Sequence, residues 1–139
     1  MKPTAAAIAL LAALGAASAA AQEAPRVEIE LNKLEQAGEA CQVFLVIGNR
    51  TDGSFSSLNL DLVFFDADGV IARRLAVETA PLPARKTSVR AFAVEGLDCG
   101  GIGRVLLNTV LTCEADGAAR DDCLGLVETA SRADAEFFR

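Results

Sequence analysis

Residues 58–78 read LNLDLVFFDADGVIARRLAVE, and this stretch decides the fold class. Its apolar residues recur at every second position: Leu58, Leu60, Leu62 and Phe64. Alternation with a period of two predicts a β-strand with one buried face. The strand should end at the tight turn 66–69, where Gly69 is free to adopt the positive φ that closes a hairpin. The stretch therefore predicts two antiparallel strands, 58–65 and 70–78.

Similar alternation continues on both sides of this hairpin. The other predicted strands are 27–31, 41–47, 86–94, 105–113 and a last strand that begins between Leu124 and Asp134 and closes near Phe138. About seven antiparallel strands at short spacing predict an all-β fold, a two-sheet sandwich in the immunoglobulin or fibronectin style with almost no helix.

Two finer expectations concern the second half of the chain. The inward face of the 105–113 strand is predicted to carry Val105, Leu107, Thr109 and Leu111. The polar stretch 114–122 that follows this strand is predicted to be a loop.

The first 21 residues differ from the rest of the chain. Lys2 is their only charge, and an apolar run from Ala5 to Ala17 is too short to span a bilayer. Small residues before Gln22 suit signal peptidase, so we expect a signal peptide over 1–21 that is cleaved after Ala21. A retained N-terminal anchor is the alternative. The mature chain, 22–139, has the size of one domain and is expected to be periplasmic or secreted, without a transmembrane segment.

The four cysteines form an even set, which in an exported protein predicts two disulfides. In an immunoglobulin-like sandwich, the strand that begins at Cys41 and the strand that follows Cys99 run parallel in opposite sheets, so these two cysteines should lie at one end. Cys113 lies at the opposite end of the later strand. We therefore predict the pairs Cys41–Cys99 and Cys113–Cys123. A zinc site is the alternative, but spacings of 58, 14 and 10 residues lack the short knuckles that such sites use.

Composition argues against several classes of function. The sequence contains no histidine, which removes Ser-His-Asp triads, Cys-His dyads and most catalytic metal sites. We therefore expect a protein that is not an enzyme and needs no cofactor. The net charge of −6, which becomes −7 when Lys2 is lost, argues against nucleic acid as a partner because such binding requires a basic surface.

Three short motifs between Val43 and Val94 carry a resemblance to a known family. A hydrophobic strand ends in Gly48-Asn49-Arg50-Thr51, a second ends in Phe64-Phe65-Asp66-Ala67-Asp68-Gly69, and Leu82-Pro83-Ala84-Arg85 leads to a strand that contains Phe92. In this order of features the chain resembles the FxLYD family of exported bacterial and archaeal modules. It is also similar to small uncharacterised secreted proteins of alphaproteobacteria that carry four cysteines. Both resemblances imply a β-sandwich without catalytic residues.

Asn49-Arg50-Thr51 also has the form of a glycosylation sequon. Because the alanine-rich leader is typical of bacteria, we interpret Asn49-Arg50-Thr51-Asp52-Gly53 as a turn instead.

The leading functional hypothesis is a non-catalytic periplasmic or secreted binding or accessory module that uses its loops and edge strands to contact an unknown protein or envelope partner. One alternative is an envelope-associated structural protein that self-associates through an edge strand. A small hydrolase without histidine is a further alternative.

Overall fold

The structure is a computed structural model that describes residues 1–3, 18–19 and 22–139. The predicted signal peptide, 1–21, lies outside the described residues except at those two short segments. The described residues form nine strands: β1 Arg26–Ala37, β2 Ala40–Arg50, β3 Phe55–Asp66, β4 Ile71–Glu78, β5 Thr87–Glu95, β6 Ile102–Ala115, β7 Ala118–Ala119, β8 Val127–Ser131 and β9 Glu136–Phe138. They also form a 3₁₀ turn, Cys99–Gly101, and a four-residue helix, α1, Cys123–Leu126.

The strands build two sheets that pack face to face. Sheet A has the order β5-β2-β1-β8, and sheet B has the order β4-β3-β6, with both β7 and β9 paired to β6. The prediction of an all-β, two-sheet sandwich is confirmed.

The core lies between the two sheets and is built by the alternating residues. Each of the alternating apolar side chains of β3 that decided the fold class is at most 1% exposed. Sheet A supplies the opposite layer from Val27, Ile29 and Leu31 of β1, which are equally buried. Removal of these apolar surfaces from water is the main term that holds the sheets together.

The hairpin that joins β3 and β4 has the predicted turn. Gly69 has a φ of +80°. The Asp66 carboxylate accepts hydrogen bonds from the backbone N–H groups of Asp68 and Val70, both at 2.9 Å. The expectation that this hairpin turns at 66–69 is therefore confirmed.

The C-terminal region differs from the predicted single last strand. The chain first forms α1, then β8, which runs parallel to β1 in sheet A, and then β9, which runs parallel to β6 in sheet B. The crossing between the sheets is held by the Ser131 hydroxyl, which donates to the carbonyl oxygens of Ala133 and Ala135. The predicted loop 114–122 also contains β7, because Asp116 and Gly117 both take positive φ values and close a hairpin with β6.

Both predicted disulfides are present. Cys41 is bonded to Cys99, and Cys113 is bonded to Cys123. The first links β2 in sheet A to the 3₁₀ turn that leads into β6 of sheet B, and the second ties the far end of β6 to α1. Two disulfides are typical of proteins in an oxidising compartment outside the cytoplasm.

Two of the short motifs meet at a buried corner between β2 and β5. Asn49 is fully buried, and its amide nitrogen donates to the carbonyl oxygens of Gly53, Leu82 and Pro83 at 2.9–3.1 Å. Its amide oxygen accepts from the N–H and hydroxyl of Thr51. Asn49 is thus a structural residue whose side chain has no access for a glycan. The interpretation as a turn is confirmed only from Thr51 onward, because Asn49 and Arg50 are the last residues of β2.

Candidate functional site

Strand β6 is unpaired along the middle of one edge. Its other edge pairs with β3 from Ile102 to Ala115. On the edge that faces away from β3, β9 pairs only with Arg104–Leu106 and β7 only with Glu114–Ala115. Within the described residues no strand pairs with the intervening Leu107–Thr112 on this side. We call this stretch, together with the cavity beside it, the β6 notch.

The notch exists because the chain leaves sheet B soon after β7. The backbone N–H of Arg120 still donates to the Cys113 carbonyl, at 2.9 Å, as the next step of the hairpin. The Cys113–Cys123 disulfide then holds the chain in α1, after which β8 pairs with β1 in sheet A. The strand that would have continued β7 along β6 therefore belongs to the opposite sheet.

The dimensions of the notch suit one short strand. Six residues of extended chain cover about 20 Å, and a neighbouring strand lies about 4.8 Å away. A cavity of about 520 Å³ lies beside the part of the unpaired stretch nearest β7, Thr109–Thr112. Its lining comprises Thr109, Val110, Leu111, Thr112, Cys113, Glu114, Ala119, Arg120, Asp121, Cys123 and Leu124.

Two bulges shape the floor of the notch. In the register with β3, Thr112 lies opposite Asn59 and Val110 opposite Leu60, so Leu111 is an extra residue in β6. The same register shows that Asn108 is a second extra residue in β6. A bulge shifts the phase of the side chains, and Leu111 is 50% exposed. The prediction that Leu111 lies on the inward face is therefore wrong, because the bulges interrupt the alternation on which it rests.

The Asn108 bulge is anchored by a charged group on sheet B. The Asn108 amide donates to Asp61 at 2.7 Å, and the Arg74 guanidinium donates to both oxygens of the same carboxylate at 2.7 and 2.9 Å. The hydrogen bonds from Arg74 have the largest effect and that from Asn108 the next largest. Together they lower the pKa of Asp61 from 3.8 to about 2, although burial of the carboxylate acts in the opposite direction. Asp61 is therefore ionised at neutral pH and holds the bulge in place.

Both ends of the notch are braced. At the β9 end, the Arg104 guanidinium lies 5.5 Å from the ring centroid of Phe65 and 5.1 Å from that of Phe138. At the β7 end, Arg120 forms a 2.7 Å ion pair with Asp122. The notch is thus a preformed feature rather than a frayed edge.

The surroundings of the notch combine apolar and acidic groups. The apolar contacts come from the exposed Leu111 and the half-buried Val110 and Leu124. Among the charged side chains that line the cavity, Glu114 and Asp121 outnumber Arg120. The notch therefore offers backbone hydrogen-bonding groups, an apolar surface and a small excess of negative charge.

The predicted site residues divide between two places. Cys113 and Cys123 border the notch, whereas Cys41 and Cys99 lie at the other end of β6. Over residues 22–139 and the two short described segments before them, no group of three His, Cys, Asp or Glu side chains is placed to hold a metal ion. In the same part of the chain, no helix is long and apolar enough to span a membrane.

Comparison with known proteins supports the fold. No family model matches the chain, and no curated protein matches it. Among solved structures, it is similar to IrmA from Escherichia coli, with a TM-score of 0.58 and 16% sequence identity over 76% of this chain and 92% of that one. At this identity the likeness concerns the sandwich architecture alone. The relation to the FxLYD family stays a prediction.

Proposed function

We propose that the protein is a non-catalytic binding module of the periplasm or the secreted fraction, and that the β6 notch receives an extended segment of a partner protein. The observation that carries this proposal is the unpaired stretch Leu107–Thr112 between two short strands on the same edge. Unpaired backbone N–H and C=O groups at a sheet edge are a template for another strand.

The flanking strands restrict what can enter. Because β7 and β9 occupy the edge at either end, an incoming strand has room for about six residues before it must leave the plane of the sheet. The long strands of a second sandwich would collide with them. A flexible tail or an exposed loop of a partner satisfies this condition, because it can turn away at both ends.

The lining favours a particular kind of segment. Backbone pairing would supply affinity without regard to sequence, and alternate side chains of the segment would contact Leu111, Val110 and Leu124. The carboxylates of Glu114 and Asp121 favour a lysine or arginine at the end near β7. We therefore propose a segment of alternating apolar residues with a basic flank.

The disulfides and the composition accord with the same function. Two disulfides suit a compartment outside the cytoplasm, and a stapled sandwich with a braced notch needs no bound cofactor to present it. A binding role rather than catalysis also accords with a chain that lacks histidine.

A selection from a random hexapeptide library tests the proposal. Peptides selected against the mature chain, 22–139, should show alternating apolar residues, and amide hydrogen exchange should slow at Leu107–Thr112 when a selected peptide is bound. Substitution Leu111→Glu should weaken peptide binding about tenfold or more, because it places a charge on the apolar floor. Ile71→Glu is the matched control, since Ile71 is similarly exposed but lies on β4.

The outcomes are clearly separated. Protection confined to 107–112, with loss of binding only in the Leu111 variant, supports the proposal. Selected peptides that protect another surface, or a selection that yields no peptide, would reject it.

A further inference from the structure

Strand β5 presents a free edge of a different kind from the β6 notch. Thr87–Glu95 pairs with β2 through nine consecutive residues without a register shift. Among the described residues, no strand pairs with the opposite edge of β5. This edge is longer than the β6 notch, and the ladder that forms it is regular.

The hydrogen bonds of β5 show which peptide groups face outward. The Lys86 carbonyl accepts from the backbone N–H of Asn49 on β2, whereas the Val89 and Glu95 carbonyls accept from the side chains of Arg90 and Arg73. Peptide groups alternate in direction along a strand, so odd-numbered residues of β5 direct their N–H and C=O groups away from β2. Residues 91 and 93 thus present backbone groups at the centre of the free edge.

The side chains along this edge are small or apolar. Val89, Ala91 and Ala93 are exposed on the outer face of sheet A, and Val89 is 59% exposed. They continue an apolar row with the half-buried Phe44 and Val46 of β2. Long, regular and apolar edges are the ones that pair with other sheets.

The charges at the two ends of β5 are opposite. The strand is preceded by Lys86 and ends with Glu95, and both are exposed. An antiparallel neighbour with the same sequence places its acidic end beside the basic end of this strand, which is electrostatically complementary.

We infer that two copies of the chain form a two-fold symmetric dimer by antiparallel pairing of their β5 edges, centred on Ala91. In this register Ala91 faces its own counterpart, Val89 faces Ala93 of the second copy, and Thr87 faces Glu95 of the second copy. Sheet A of one copy and sheet A of the other then form one continuous eight-stranded sheet. This inference concerns a different surface from the proposed peptide site and does not depend on it.

The register keeps like charges apart along the edge. Arg90 lies opposite Phe92 of the second copy rather than opposite another arginine. The Arg90 and Arg73 guanidinium groups already donate to the Val89 and Glu95 carbonyls, but a carbonyl oxygen can accept two hydrogen bonds. The isologous contact is also one that closes, so it ends at the dimer.

Sedimentation equilibrium of the mature chain, 22–139, tests the inference. The wild-type protein should show a dimer at high concentration that dissociates on dilution. Ala91→Pro should abolish the dimer within the accessible concentration range, because it removes an outward N–H at the centre of the edge. Its far-ultraviolet spectrum and thermal unfolding show whether the monomer is still folded.

A pair of variants at one position tests the register without a risk to folding. Thr87→Lys should tighten the dimer, and Thr87→Glu should weaken it, each by about threefold or more, because residue 87 faces Glu95 of the second copy. Val70→Lys and Val70→Glu introduce the same charges at an exposed valine outside β5 and should leave the dimer unchanged. A wild-type protein that is monomeric at millimolar concentration would overturn the inference. Equal effects of the two Thr87 variants, or a weaker dimer with lysine and a tighter one with glutamate, would overturn the register.

Discussion

The β5 edge and the β6 notch are built from the same backbone groups but present them differently. The β5 edge is nine residues long and regular, and among the described residues no strand closes either of its ends. The notch is six residues long, contains two bulges and is closed at both ends by β7 and β9. An unpaired edge therefore does not by itself specify a partner. Two further features decide whether a whole sheet or a single short segment can pair with an edge. They are the elements that lie at its ends and the regularity of its register.

Each of these edges also has a disulfide beside it. Cys41 lies opposite Val94 in the ladder between β2 and β5, and its partner Cys99 follows β5. Cys123, bonded to Cys113, starts the helix that borders the notch. Removing each disulfide in turn therefore shows whether the two edges respond separately.

The largest effect should come from removal of the disulfide near β5. In the Cys41→Ser/Cys99→Ser variant, the free energy of unfolding should fall by about 4 kcal/mol, because the bond closes a long loop in the unfolded chain. Denaturation with urea measures this change. Because the bond also joins the two sheets, the variant should lose both dimerisation at the β5 edge and peptide binding at the β6 notch. A variant that has lost this stability but still dimerises would contradict this prediction.

Removal of the second disulfide should have a smaller and more local effect. In the Cys113→Ser/Cys123→Ser variant, the shorter loop predicts a loss of about 3 kcal/mol. Because Cys123 holds α1 against β6, amide exchange should accelerate mainly around the notch. The affinity of the β5 dimer should not change, and a weakened dimer here would show that the edges are coupled.

The Asn49→Ala variant should destabilise the protein by about 2 kcal/mol, because it removes the hydrogen bonds that the buried Asn49 amide makes to three backbone carbonyls and to Thr51. The affected carbonyls belong to the turn before β3 and to the segment that leads into β5. Thermal unfolding checks the loss. Asn32→Ala is the control, since the Asn32 amide makes one side-chain hydrogen bond, to Glu30, and is only half-buried.

How far the sequence predicts this molecule depends on the range of the interactions. The β3–β4 hairpin is predictable because alternation and a glycine turn act over neighbouring residues, and the cysteine pairs follow from the sandwich topology. The exposure of Leu111 is not predictable in this way, because the bulge arises from the register with β3, a distant segment.

The notch escapes sequence-based prediction for a related reason. Its origin is the departure of the chain from sheet B after β7, and the pairing of β8 with β1 joins residues about one hundred positions apart. The polar pair Asp121-Asp122 after the strand is the one local signal, and such a pair is equally typical of an ordinary loop. Free edges therefore depend on the topology of the sheets and are difficult to predict from the local sequence.

A smaller effect is expected at Asp61, which anchors the Asn108 bulge. Asp61→Asn should reduce the free energy of unfolding at pH 7 by about 1 kcal/mol, since Arg74 is largely solvent-exposed and its ion pair is screened. The folded pKa of about 2 lies below the ordinary value of 3.8, so the stabilisation by this group is fully present above about pH 4 and is lost as the pH falls through 2.

Between pH 4 and pH 2, the free energy of unfolding should therefore fall less in the Asp61→Asn variant than in the wild type. Urea denaturation at a series of pH values measures this difference, and Asp121→Asn, at an exposed carboxylate, serves as the control. Equal acid sensitivity in the Asp61 variant and the wild type would contradict the assigned pKa.

The smallest effects on stability should come from the two exposed apolar residues that mark the edges, Val89 and Leu111. Val89→Ser and Leu111→Ser should each change the free energy of unfolding by less than about 0.5 kcal/mol, because neither side chain is buried. Their effects on association should nevertheless separate: the Val89 variant should weaken the dimer and leave peptide binding intact, and the Leu111 variant should do the reverse. Sedimentation of both variants measures the affinity of the dimer, and peptide titration measures the affinity for the peptide. If either substitution altered both associations, the two edges would form one surface, and the distinction drawn from their ends and registers would fail.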